Sequence, residues 1–134
     1  MYFNDEYDVR NNIYHTKLYD GCHIVCDCKI CANSDSSVWS ISAWYTSHSY
    51  QHKGYGVKTL AHILSEMREE LGMPDKIEYI WNGANQYVMD WLSNHFDPVC
   101  KLPLAVQKCD DVDDWTAHMY TINKDKLFEY LHIA

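Results

Sequence analysis

The pattern of apolar and polar positions changes period part-way along the chain. The first part reads as β structure. Asn12–Asp20 (NIYHTKLYD) carries the β-prone residues Ile13, Tyr14, Thr16 and Tyr19, and Gly21 punctuates its end. In Cys22–Ala32 the alternation puts Ile24, Cys26, Cys28 and Ile30 on one face and His23, Asp27 and Lys29 on the other. Asn33–Ser37 (NSDSS) is a turn-rich break. Val38–Thr46 alternates again, with Trp39, Ile41, Ala43 and Tyr45 on one face and Val38, Ser40, Ser42, Trp44 and Thr46 on the other. Three such runs joined by short connections predict an antiparallel meander.

From Val57 the period lengthens. Val57, Leu60, Ala61, Leu64, Met67 and Leu71 form the single stripe of an amphipathic helix, with Gly72 placed to end it and Pro74 beyond. Lys76–Trp81 reads as a short strand. Asn85–Phe96 shows Val88, Met89, Leu92 and Phe96 at helical spacing. Trp115–Asn123 predicts a late strand, and Asp125–His132 a short terminal helix with Leu127, Phe128 and Leu131 inward. The order β-β-β-α-β-α-β predicts an α/β fold whose sheet has antiparallel and parallel parts.

Composition narrows the class. The 134 residues fit one domain, 1–134, and 11 Tyr, 5 Trp and 3 Phe supply ample burial. The net charge of -8 argues against a general nucleic-acid binder, which needs a positive surface. No apolar run reaches the ~18–20 residues of a membrane span. Met1–Arg10 carries Asp5, Glu6 and Asp8 and no apolar core of a secretory signal, so a cytoplasmic protein is expected. The acidic group Asp110, Asp111, Asp113 and Asp114 reads as a solvated loop. Cys22, Cys26, Cys28 and Cys31 have the spacing C-x3-C-x-C-x2-C, which does not match separated zinc-ligand pairs. The strand alternation makes them core or half-buried thiols, with no metal expected.

The chemistry concentrates in Tyr50–Gly56 (YQHKGYG), between a strand and the strongest helix. Gly54 and Gly56 allow a ligand to approach the backbone. The following helix start adds unpaired N–H groups and the positive end of its dipole. Together these suit a pyrophosphate. No Walker A loop is present, and Thr59 replaces the third glycine of a dinucleotide fingerprint.

Trp44–Gly56 (WYTSHSYQHKGYG) resembles motif A of the GNAT superfamily of acyl-CoA N-acyltransferases: a strand, a short loop, then [Q/R]-x-x-G-x-[G/A] opening a helix. Gln51, Gly54 and Gly56 match in register, and Tyr50 and Lys53 are also common there. The resemblance covers about residues 38–96 by motif and order, and the rest by topology. It implies a GNAT-like mixed sheet and acetyl-CoA as cofactor. The backbone of Tyr45 and Thr46 would meet the pantetheine arm where the strand splays from its neighbour. Amides of Gln51, His52, Lys53, Gly54, Tyr55, Gly56 and Val57 would hold the pyrophosphate. Asn85 would contact the pantetheine or the helix–strand junction. A primary amine, on a small molecule or a protein lysine or N-terminus, would attack the thioester.

Several positions depart from the family pattern. The tyrosine usual seven residues after the helix asparagine is Leu92 here, and Ser93–Phe96 lacks the glycine of the usual G-F pair. Tyr87, two residues after Asn85, is expected to face elsewhere. Ser40 and Ser42 occupy strand positions where some members carry a glutamate base, which leaves His48 as the nearest imidazole, or a solvated loop histidine. The two helices that wall the acceptor site in many members have no room before Cys22. Tyr2–Tyr14, Leu102–Asp114 or a second subunit would replace them, and a homodimer has room to form. Trp81, Trp91 and Trp115 either line the cleft or fill the core. The alternative to an N-acetyltransferase is a non-catalytic GNAT-fold protein serving as a binding or structural component. The Trp91-Leu92 pair and small size also resemble phage-encoded members, some similar to internal virion components.

Overall fold

The computed structural model describes residues 1–81, 86–105 and 116–134. Strands β1 (Tyr2–Asp8), β2 (Ile13–Asp20), β3 (His23–Ala32) and β4 (Val38–Thr46) come first. Helix α1 (Tyr55–Leu71), strand β5 (Lys76–Trp81) and helix α2 (Gln86–His95) come next. Strands β6 (Val99–Ala105) and β7 (Thr116–Ile122) and helix α3 (Lys124–Tyr130) complete the chain. One seven-stranded sheet has the order β1-β2-β3-β4-β5-β7-β6. Strands β4 and β5 are parallel, and the other neighbours are antiparallel. The expected mixed α/β architecture is therefore present. No helix among the described residues is long and apolar enough to cross a membrane.

Two strands were not legible in the pattern. In β1, only Phe3 and Tyr7 are partly covered, and three carboxylates break the alternation. In β6, Pro103 falls where the ladder with β7 shifts register, and proline cannot donate to a ladder. Asn85, Trp115 and the Asp110–Asp114 cluster lie outside the described residues.

Two strand faces also differ from simple alternation, for one physical reason. A β-bulge adds a residue without a partner and reverses the phase of every later residue in the strand. Opposite β3, Ile30 pairs with Ile41 and Lys29 with Ala43, so Ser42 is the extra residue of β4. Trp39 and Ile41 are buried as expected, but Ala43 and Tyr45 face solvent, while Trp44 and Thr46 turn inward. Between β2 and β3, Leu18 pairs with Cys26 and Tyr19 with Ile24, which leaves Val25 extra. Val25 is buried and Ile24 exposed, whereas Cys26, Cys28 and Ile30 keep the predicted inward face.

Helix α1 lies over β2, β3 and β4. It buries Thr59, Leu60, Ile63, Leu64 and Met67. Each fully covered aliphatic side chain contributes about 1.5–3 kcal/mol relative to exposure. The helix ends at Gly72, whose left-handed backbone (φ 81°) lets its N–H reach the Arg68 carbonyl. Helix α3 is capped by Asn123, whose side chain accepts from the Lys126 N–H at 3.1 Å. Its Phe128 meets the buried Trp39 edge-on at 6.2 Å.

Deletion of Ser42 alone leaves a regular ladder with Trp44 still inward, whereas deletion of Ser42 together with Ala43 sets Trp44 opposite Lys29 and drives Trp44 and Thr46 toward solvent. The expected loss for the double deletion is about 3–5 kcal/mol, the scale of removing a buried tryptophan. Ser42→Ala, at an exposed position, should cost about 0.5 kcal/mol. Urea unfolding of the double deletion and of Ser42→Ala checks this, and equal midpoints would refute the role given to the bulge.

Candidate functional site

The site begins where β4 leaves β5. Their parallel ladder runs from the Val38–Lys76 pair to the Ile41–Tyr79 pair and goes no further. Beyond it, among the described residues, β4 continues to Thr46 beside β3 alone, while β5 continues beside β7. The Ser47 N–H donates to the Val25 carbonyl of β3 at 2.8 Å. Neighbouring backbone groups of a strand point to opposite sides. The N–H and C=O of Thr46 therefore face the gap, and those of Tyr45 face β3.

A cavity of about 520 Å³ opens from this gap between the start of α1 and α2. Trp44 and Thr46 from β4 line it, with Gln51, His52, Gly54, Tyr55, Gly56 and Val57 of the loop and first helical turn. The loop obtains its shape from two left-handed residues, His52 (φ 63°) and Gly54 (φ 83°). Gly54 precedes α1 and gives no side-chain cap to the helix start. The first-turn amides thus have no intrahelical acceptor and no capping side chain. Gly56 serves closeness instead of conformation. A Cβ there would stand 3.0 Å from Thr46 Oγ1 and 3.6 Å from Trp44 Nε1. Its carbonyl accepts a hydrogen bond from Trp44 Nε1 at 3.1 Å, tying the helix start to β4.

Gln51 acts through its side chain, which donates to the Thr46 carbonyl at 3.0 Å. On the other side of the gap, Tyr87 of α2 takes up the Thr46 N–H at 3.3 Å through its hydroxyl oxygen. Burial raises the Tyr87 pKa from its ordinary value of 10.0, opposed in part by the Thr46 backbone N–H. The hydroxyl thus holds its proton throughout neutral pH. Tyr87 faces differently from position 92, as its spacing predicts: Leu92 lies with Val88 and Met89 on the buried face of α2, whereas Tyr87 turns into the cavity. Leu92 itself is fully buried.

Among the predicted site residues, the structure brings Thr46, Gln51, His52, Gly54, Tyr55, Gly56 and Val57 to one cavity. Tyr45 and Lys53 are exposed and outside its lining, as is His48, which lies on a short 3-10 turn. Trp91 lines the cavity and meets Trp44 edge-on at 5.5 Å. Trp81 instead packs near Tyr120, with ring centroids 6.4 Å apart. The residues that sequence reasoning missed in the far wall, Asp90, Asn94 and Tyr130, carry no motif. The signal for Asp90 and Asn94 is the i, i+3, i+4, i+7 spacing of Tyr87, Asp90, Trp91 and Asn94, a second face of α2 beside its buried stripe.

The fold is shared with solved structures. An acetyltransferase of the GNAT family from Streptococcus pneumoniae superposes with a TM-score of 0.60 at 12% identity, covering 83% of this chain and 67% of that one. A variant of a spermidine N-acetyltransferase from Vibrio cholerae gives 0.63 at 12% identity, covering 90% and 70%. This is the GNAT fold. A nourseothricin acetyltransferase has the same fold at a TM-score of 0.65 and 10% identity, with 84% of this chain and 65% of its own length covered. No family model matches the chain, and no curated protein matches it by sequence.

The two glycines should respond differently. Gly54→Ala meets no atom within 4 Å but must hold a left-handed backbone, costing about 1–2 kcal/mol. Gly56→Ala keeps an ordinary helical backbone and pushes on Thr46 and Trp44. Thermal unfolding should show a stability loss for Gly54→Ala with the cavity floor unchanged, and a shifted Thr46 amide resonance for Gly56→Ala. Identical behaviour of the two would contradict the separate roles.

Proposed function

We propose that the chain is an N-acetyltransferase that takes its acetyl group from acetyl-CoA and gives it to a primary amine. The observation that carries this reading is the cavity at the β4–β5 parting, with an uncapped helix start and two left-handed loop residues on its rim. The residues present fit the group. The amides of residues 52–57 suit a pyrophosphate, and the glycine at 56 lets the helix start lie against β4, where a Cβ would crowd Thr46 Oγ1 at 3.0 Å. The parted edge at Thr46 suits an extended arm that carries amides. Bound there, acetyl-CoA supplies a thioester whose acetyl carbon an amine can attack, releasing a thiol.

The chain's own residues then hold, orient and protonate. The loop amides and the α1 dipole hold negative charge, which explains how an acidic protein can bind a phosphate-rich ligand. Trp44 and Trp91 wall the cavity with apolar surface and exclude water. Tyr87 Oη is the hydroxyl in the cavity wall beside the parted strand, and its burial keeps it a proton donor. It takes the place of the family tyrosine that Leu92 cannot supply.

One observation favours the second reading, a GNAT-fold binding or structural component without catalysis. Both gap-facing groups of Thr46 already have partners, Tyr87 and Gln51. Such an edge is satisfied without a ligand.

Acetyl-CoA at 100 times its Kd should stabilise the protein by about 2.7 kcal/mol, seen as a rise in Tm. No rise at millimolar acetyl-CoA would sink the enzyme reading. In the active protein, Tyr87→Phe should lower kcat by about 10²-fold or more. The alkaline limb of the wild-type rate profile should lie above pH 10, because the folded-state pKa is raised and the donor form persists to higher pH. A rate that falls between pH 7 and 9 and is unchanged by Tyr87→Phe would remove Tyr87 from the mechanism.

A further inference from the structure

We infer that Tyr87 is an internal stand-in for the ligand's arm, and that it sets the affinity of the site by occupying the β4 donor that the arm must take. The inference rests on the acyl-CoA reading above. It concerns one exchange of hydrogen bonds at Thr46.

A strand edge left by its neighbour exposes N–H and C=O groups that need partners. In β4 these groups belong to Thr46, which is almost fully buried. Water therefore has limited access to them. Two side chains meet the need from different elements: Gln51 Nε2 donates to the carbonyl, and Tyr87 Oη accepts from the N–H. Gln51 belongs to the loop itself, five residues on from Thr46. Tyr87 arrives from α2 across the cavity, and its ring lies within the cavity wall. Its hydroxyl therefore stands in the space an extended ligand would fill beside β4.

The contact is built to be exchanged. At 3.3 Å the N–H···O distance exceeds the usual 2.9–3.0 Å. An amide carbonyl offered to the same N–H makes a better bond. The matching ligand is a chain of amides in extended form, pairing with β4 as a strand would. When that carbonyl arrives, the Tyr87 hydroxyl is released into the cavity with its proton still in place. The competition keeps the parted edge satisfied in the empty protein, and it lowers the affinity for the arm.

The test compares wild type with Tyr87→Phe by isothermal titration. Two probes are used: CoA, which has the amide arm, and 3′-phospho-ADP, which has the pyrophosphate but no arm. Removing the hydroxyl leaves the Thr46 N–H unpaired, so the arm gains a whole hydrogen bond in place of an exchange. CoA should bind Tyr87→Phe about 5-fold more tightly, the worth of one neutral hydrogen bond. 3′-Phospho-ADP should bind both proteins equally. With acetyl-CoA and an accepted amine, KM for acetyl-CoA should fall together with kcat, a split that a merely structural tyrosine does not give. An unchanged or weaker CoA affinity in the variant overturns the inference. So does an equal gain for both probes, which would point to a rearranged loop.

If neither protein binds CoA at millimolar concentration, the acyl-CoA reading fails. The contact itself is then judged by amide hydrogen exchange in the ligand-free proteins. Faster exchange at Thr46 in Tyr87→Phe, with the rest of β4 unchanged, supports the Tyr87–Thr46 latch. Exchange at the wild-type rate overturns it.

Discussion

Ser42 enters β4 without a partner on β3, and each later residue of that strand changes face as a result. Trp44 thereby comes under the start of α1 and ties its indole N–H to the Gly56 carbonyl. Thr46 comes inward as well, where its hydroxyl limits what can stand at Gly56. The strand at the same time parts from β5, because their ladder ends one residue before the bulge, at Ile41. Loop, helix start and open strand edge are held together by that extra residue. Were Ser42 instead paired in plain alternation, with no bulge, Ala43 and Tyr45 would turn inward in place of Trp44 and Thr46.

The parting of two parallel strands creates an electrostatic problem as well as a space. Backbone donors and acceptors left at a buried edge are costly without partners. The chain meets the cost with Gln51 and Tyr87, side chains that reach Thr46 from opposite walls. This arrangement makes the ligand-free fold self-sufficient. It also means that a ligand at this edge competes with the protein instead of filling a vacancy. Affinity at such a site is a difference between two sets of hydrogen bonds, and it can be tuned by one hydroxyl.

Net charge plays a smaller part than its size suggests. The protein carries -8 overall, yet the rim of the cavity is governed by peptide dipoles. Those dipoles act over the first turn of a helix and are insensitive to distant carboxylates in water and salt. A general attraction for polyanions and a local site for one pyrophosphate are separate physical properties. Only the first is set by the sum of side-chain charges.

Much of this protein was legible in its residues. The helical stripe of Leu60, Leu64 and Met67, the stop at Gly72 and the inward Cys26, Cys28 and Ile30 come from period and burial, which are local. The Gln51–Gly56 spacing, set between a strand and a helix, announced the loop for the same reason. What the tertiary structure decided was phase and distance. Bulges at Val25 and Ser42 depend on which strand lies alongside, so alternation within one strand could not locate them. The pairing of Tyr87 with Thr46 joins residues 41 positions apart, and nothing in α2 alone distinguishes a cavity-facing tyrosine from a surface one. Sequence determined most of the elements, β1 and β6 apart, and where the glycine loop sits, because these rest on neighbouring residues. The folded sheet decided which side chains meet at the strand's open edge, because that depends on how distant strands register and part.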